Sequence, residues 1–262
     1  MKRRFAYLCV VEGTSTRYFL EIAYNGTAYH GWQVQDNAVS VQEKLNAALA
    51  ILLRAPIETT GAGRTDTGVH AKQLYVHFDS EAPILKNPER FVHSLNALLP
   101  CDIVVYRLIH VKPDAHARFD ATSRSYEYHV HFVKDPFLHQ QSWLLRDFPN
   151  IEKMNIAAKD LLGRQDFSCF SKSNTQVFTN ICHITHAEWQ ATNNHLVFHI
   201  TADRFLRNMV RAIVGTLMEV GMGKKPVDHI KSVIASRSRS MAGSSVPACG
   251  LYLTKVLYPY ID

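Results

Sequence analysis

From Arg17 to Tyr24 apolar and polar residues alternate, with Tyr18, Leu20, Ile22 and Tyr24 on one face. A period of two predicts a half-buried strand, and Asn25-Gly26 follows it as a turn signal. The period then lengthens. Val41, Leu45, Ala48, Leu49 and Leu52 fall on one helical stripe, and Ser40 with Glu43 three residues on predicts a capping box at its start. Leu74, Val76 and Phe78 alternate again as a strand. Asn87-Pro88 opens a second helix, as N-cap and first helical residue, which ends before Pro100. Ile103 to Val111 reads as a further strand.

A second round begins after the polar, irregular stretch from Pro113 to Thr122. Tyr126, Tyr128, Val130 and Phe132 alternate against Glu127, His129 and His131, a strand. Ile151 to Leu162 reads as a helix closed by Gly163. Arg164 to Asn180 is a Ser/Thr-rich loop, long enough to move or to contact a substrate. Asn193-Asn194 joins two strands, Ile184 to Trp189 and Leu196 to Thr201, into a hairpin. Phe205 to Val220 is the strongest amphipathic helix, with Met209, Ile213, Leu217 and Val220 along one side. A short helix (Val227 to Ala235), a Ser/Arg-rich loop and a last strand (Leu251 to Leu257) complete the chain.

Helices are too few, and hairpin signals too many, for a doubly wound parallel sheet. The pattern fits an α+β fold, with mostly antiparallel sheet and helices on one side. The break at Pro113 to Thr122 predicts an N-terminal extension over residues 1–15, an α+β domain over 16–116 and a second over 117–262. No sequence repeat links the halves.

Composition adds less. With 262 residues, 47% hydrophobic and 20% charged, the chain can bury a core without staples, which suits an enzyme and a binding module equally. Its formal net charge of +6 favours polyanionic partners, nucleic acid or an anionic membrane surface. Arg204, Arg207, Arg211, Lys224 and Lys225, with Arg237 and Arg239 soon after, look like a surface rather than a tail. Cys9, Cys101, Cys169, Cys182 and Cys249 are widely spaced with no CxxC pair, and no HExxH occurs, so neither a disulfide framework nor a metal site is expected. The apolar run Phe5 to Val11 is short for a signal-peptide core, and no stretch approaches the roughly twenty residues that span a bilayer. The cytoplasm is the expected location.

The outlier is GAGRTDTGVHA, Gly61 to Ala71, where three glycines surround Arg64, Thr65 and Asp66. Clustered glycines permit positive φ and close approach of backbone to a ligand. An Asx-type turn with Arg64 in solvent would look the same. The G-x-G-x-x-G fingerprint fails because Asp66 stands at the third glycine, and no Gly-Lys-Ser/Thr makes a P-loop. Asp66-Thr67-Gly68 spells the aspartic-protease triplet, but that chemistry needs a second carboxylate, and the triplet occurs once.

Several motifs in order resemble the tRNA pseudouridine synthase A family over about Tyr18 to Tyr258. They are Tyr24-Asn25-Gly26-Thr27, Gly31-Trp32-Gln33, Gly63 to Ala71, Asn96 to Pro100, Ala117 to Ala121, Arg124-Ser125-Tyr126, Asp166-Phe167-Ser168, Phe205-Leu206, Met209-Val210-Arg211 and Pro247 to Leu251. The resemblance implies two related α+β halves whose sheets join across a central cleft, the pseudouridine synthase fold. It implies a homodimer holding tRNA, with no cofactor and no metal. The implied reaction detaches uracil from ribose, turns it and rejoins it through C5, at uridines 38, 39 and 40 of the anticodon arm. Asp66 matches the family's catalytic carboxylate, Arg211 its cationic partner and Tyr126 the aromatic against the target base. Arg64 matches the residue that helps draw the nucleotide from its stack, and Arg207 is among the basic side chains that would hold RNA phosphates.

On pattern alone, Tyr126 is equally a core tyrosine and Arg211 a surface arginine of a basic helix. A non-catalytic RNA-binding protein on the same fold is the rival reading. It would use the basic surface and have no need of Asp66 or Arg211.

Overall fold

A computed structural model of the chain describes residues 15–81, 84, 87–172, 178–192 and 194–261. Apart from Ser15, the expected N-terminal extension lies outside the described residues, as do residues 173–177 of the expected long loop and Asn193 of the hairpin turn.

The architecture is α+β, built on one ten-stranded, mostly antiparallel sheet. In the first half β1 (Thr16–Tyr24) pairs antiparallel with β3 (His70–Ser80) and β4 (Ile103–His110), and a short β2 (Thr60–Gly61) lies against β3. Two helices pack with these strands. In α1 (Val41–Leu53) the predicted capping box forms, Ser40 accepting from Glu43 N at 3.2 Å and Glu43 accepting from Ser40 N at 3.4 Å. In α2 (Pro88–Leu98) Asn87 caps Arg90 N at 2.9 Å. Leu20, Ile22, Leu45, Leu49, Leu74 and Val76 form the centre of this core.

The second half builds outward from β5 (Ser123–His131), which pairs with β9 (His195–Ala202); β8 (Ile181–Thr192) and β7 (Gly163–Asp166) follow, and β6 (Trp143–Leu144) flanks β5. The helices α3 (Ile151–Ala158), α4 (Met209–Gly221) and α5 (His229–Ser236) complete a second core around Tyr128, Phe198, Ile213 and Leu217. The final strand, β10 (Leu251–Leu257), joins the halves. It runs parallel to β3 and antiparallel to β5, so Ala71, Leu253 and Tyr126 stand side by side on three neighbouring strands.

Three elements differ from the sequence expectation. The α-helix from Ile151 ends at Ala158 and tightens into a 3-10 turn, and Gly163, at φ +93°, starts a strand. The expected loop therefore begins as β7, followed by buried Phe167, Cys169 and Phe170. The helix expected from Phe205 begins only at Met209, because Asn208 sits at φ 66°, a left-handed conformation that a helix interior does not admit. That helix is also no surface amphipath. Every residue of α4 except Arg211 and Glu219 is buried.

Candidate active site

The loop from Ala62 to Val69 links β2 to β3, and the segment after β1 holds it in shape. Thr65 Oγ1 and the Tyr24 hydroxyl are hydrogen-bonded at 2.8 Å, Trp32 N donates to Thr65 O at 3.3 Å, and Gly68 N donates to Tyr29 O at 3.2 Å. Contact is close enough to demand glycine. A Cβ on Gly26 would stand 1.9 Å from Val69 O, and one on Gly31, already at φ +88°, 2.3 Å from Thr65 O. These are the glycines of the first two quoted motifs, so both motifs serve the Asp66 loop. Within the loop Gly68 takes φ +76° and closes a turn in which Val69 N donates to Asp66 O. Gly63 differs: a Cβ there would meet nothing within 4 Å.

Asp66 is thereby presented toward the start of α4, its side chain 27% exposed. Arg207 Nε lies 3.7 Å from Oδ1, and Arg211 Nη1 lies 3.7 Å from Oδ2. Both separations are ion-pair distances, too long for direct hydrogen bonds. Neither carboxylate oxygen accepts a hydrogen bond among the described residues, so both remain available to a substrate. Arg211 is held from behind, its Nε donating to Val246 O at 2.7 Å. With its side chain only 21% exposed and tied to Val246 O, it is not an ordinary surface arginine.

Tyr126 packs against both cores, with the Phe205 ring edge-on at 5.1 Å. Burial pushes its phenol up to about 12; the Arg124 charge opposes the rise and the Asp66 charge adds to it. Its hydroxyl has no hydrogen-bond partner among the described residues. The fold thus brings Asp66, Arg207, Arg211 and Tyr126 together. Arg64 stands apart, exposed and with no hydrogen bond or ion pair among the described residues.

His70 went unassigned in the sequence. Its Nδ1 accepts from Gly26 N at 3.0 Å, so the proton is on Nε2, which lies 3.1 Å from both Gln140 O and Cys249 O. One buried ring thus ties the base of the Asp66 loop to the Pro247–Leu251 motif, and burial lowers its pKa, which keeps it neutral. Its only sequence signal was its place at the end of the glycine-rich run. Among the described residues no group of three or more His, Cys, Asp or Glu could hold a metal ion.

A family model described as tRNA pseudouridine synthase matches residues 157–259. The tRNA pseudouridine synthase A of Bacteroides fragilis is 52% identical over 244 residues, covering 93% of this chain and 96% of that protein. That of Parabacteroides distasonis is 51% identical over 243 residues, with the same coverage of 93% and 96%. The Porphyromonas gingivalis protein of that name is 49% identical over 247 residues, covering 93% and 97%. A chain of a solved Cbf5-Nop10-Gar1 complex aligns over 90% of this chain and 57% of its own length, at 10% identity and a TM-score of 0.35.

Proposed function

The chain belongs to the tRNA pseudouridine synthase A family, and from that premise we propose that Asp66 is its catalytic nucleophile, acting on uridines 38, 39 and 40 of the tRNA anticodon arm. The enzyme is an isomerase that converts uridine to pseudouridine in tRNA. One observation carries the assignment of the residue. The Asp66 carboxylate stands between two guanidinium groups, with both oxygens free of hydrogen bonds among the described residues and Tyr126 close enough to feel its charge.

Each group suits a part of the reaction. Breaking the bond between uracil and ribose calls for a carboxylate that attacks or stabilises the sugar–base unit, and Asp66 is a carboxylate of that kind. Arg211 and Arg207 balance its charge, and exposed Arg207 is also free to take a phosphate. Tyr126 offers a ring for the base to stack on. A phenol raised to about 12 stays protonated near neutrality, so it is not itself the base: its hydroxyl assists by hydrogen bonding at the base while the C5 proton leaves to water. Arg64, two residues before Asp66 and exposed, is the side chain we assign to the position the target nucleotide leaves in its stack. A homodimer and a cytoplasmic setting complete the reading. The first rests on the family resemblance, the second on a tRNA substrate and on the four described cysteines, which are free thiols.

The test is pseudouridine formation on an anticodon stem-loop, read by tritium release from C5 and by mass labelling to map the position. Asp66→Asn is expected to abolish product while tRNA binding persists. Full activity of that variant would reject the catalytic assignment and favour a binding module. Product outside the anticodon arm would reject the substrate assignment.

A further inference from the structure

Arg124 lies on β5, two residues before Tyr126, and is half-buried. Its Nη1 donates to Ala121 O at 2.7 Å and Asp203 O at 2.9 Å; its Nη2 donates to Arg118 O at 2.6 Å and Ala62 O at 3.2 Å. All four terminal N–H groups of the guanidinium are thus engaged, each by a backbone carbonyl. No carboxylate forms an ion pair with it among the described residues.

These carbonyls come from three separate stretches of chain. Ala62 opens the loop that carries Asp66. Asp203 leads into the run that carries Phe205, Arg207 and Arg211. Arg118 and Ala121 belong to the segment that feeds β5 and so Tyr126. One planar group therefore meets every stretch that contributes a side chain to the site. Two of these stretches are irregular, without a sheet ladder to fix them, and the 3.7 Å separations at Asp66 depend on how they lie against each other.

We propose that Arg124 is a positioning residue for the isomerisation, setting the Asp66 loop and the Asp203–Asn208 run against the strand of Tyr126. The inference rests on the assignment of Asp66 and Tyr126 made above. It explains why arginine stands here. A lysine offers three donors from one point and cannot span four carbonyls arranged around a plane. The role is geometric, so loss of Arg124 acts on the chemical step more than on tRNA binding.

The experiment compares Arg124→Ala and Arg124→Lys with wild type and with Asp66→Asn, on the full chain. Circular dichroism, thermal unfolding, tRNA Kd and single-turnover rate are measured for each. Displacement of a catalytic group by about 1 Å can lower a rate about 100-fold. A fall of that order is expected in both variants, with Kd within about threefold of wild type. Millimolar guanidinium is expected to restore part of the rate of Arg124→Ala, whereas sodium chloride at equal ionic strength is not. The proposal is overturned by a wild-type rate in either variant, by a Kd that rises as steeply as the rate falls, or by rescue with simple salt. If neither variant folds, Arg124 serves stability and the proposal is likewise overturned. An active Asp66→Asn would instead defeat the site assignment, so the two failures are distinguishable.

Discussion

Arg211 fastens its Nε to the Val246 carbonyl at 2.7 Å and thereby aims its Nη1 at the Asp66 carboxylate, 3.7 Å away. The anchor is itself built into the core. Gly215 leaves room for the Ser244 carbonyl, which a Cβ would approach to 1.9 Å, and Val246 N returns a hydrogen bond to Arg211 O. Arg211→Lys keeps the charge but cannot both hold Val246 and reach Asp66. Its expected effect is a single-turnover rate lower by about 100-fold, the size seen when one preorganised donor is lost, with tRNA Kd little changed. A lysine variant with full rate would show that charge alone suffices.

Arg207 touches the same carboxylate from a different footing, with its side chain 59% exposed. Facing solvent, it is better suited to a phosphate than to fixing Asp66. Arg207→Ala should weaken tRNA binding and reduce the slope of log Kd against log salt by about one, as for the loss of one phosphate contact. Titrations at several salt concentrations decide this. An unchanged slope with a collapsed rate would make Arg207 a partner of Asp66 alone.

The glycines around the loop separate structural from functional need. Gly31→Ala places a Cβ 2.3 Å from Thr65 O at φ +88°, so a loss of about 1–3 kcal/mol and reduced activity are expected. Gly63→Ala meets only open space, so stability should stay within about 0.5 kcal/mol. Its turnover should nevertheless fall, if the glycine serves close approach of the RNA. Denaturant unfolding and kinetics on both variants check the contrast, and a fully active Gly63→Ala would remove any substrate role for that position.

Local rules explain what the sequence disclosed. Alternation located β1, β3 and β5, and cap chemistry at Ser40–Glu43 and Asn87 located α1 and α2, because each depends on residues a few positions apart. The glycine-rich run marked the loop of Asp66 for the same reason. What stayed hidden depends on partners brought from afar. β7 is a polar stretch made into a strand by pairing with β8, and the buried state of α4 comes from the elements packed around it. Arg124 and His70 bond mainly to backbone carbonyls and amides, which leave no mark on the identity of the residues they belong to. Asn208 delays the start of α4 through its conformation rather than through a Pro or Gly.

Tyr126 keeps its proton well above neutrality because burial opposes the phenolate and the Asp66 charge adds to that effect, while Arg124 opposes it. The wild-type rate should therefore show no loss attributable to this group up to about pH 11. Tyr126→Phe retains the ring against Phe205 but removes the hydroxyl that assists loss of the C5 proton. A rate fall of about 100-fold or more with near-normal tRNA binding is expected. A phenylalanine variant that turns over normally would confine Tyr126 to stacking.

Stability should depend on pH through His77, which the fold holds neutral. Burial is the chief cause of a pKa lowered from 6.5 to about 4, with His116 and Arg17 adding to the shift and Asp79 and Asp120 opposing it. Its Nδ1 accepts from Ala117 N at 3.1 Å, a bond that favours the neutral ring. Between pH 6.5 and about 4 the unfolded chain binds a proton that the folded chain refuses, so stability is lost as pH falls through that window and the loss levels off below it. The contribution is about 3 kcal/mol at most, since each pKa unit corresponds to about 1.4 kcal/mol. Glu127, held down to about 2 by hydrogen bonds from His129 and Lys72, loses its contribution as pH falls from 4.5 to about 2, below the pH range measured, and so does not obscure the effect. His77→Asn offers an acceptor to Ala117 without a titrating group. Urea unfolding at pH 7, 6 and 5 should give a flatter dependence than wild type, though not a flat one, because His70 and His116 shift in the same direction. Equal slopes in the two proteins would mean that His77 takes up its proton without disturbing the fold.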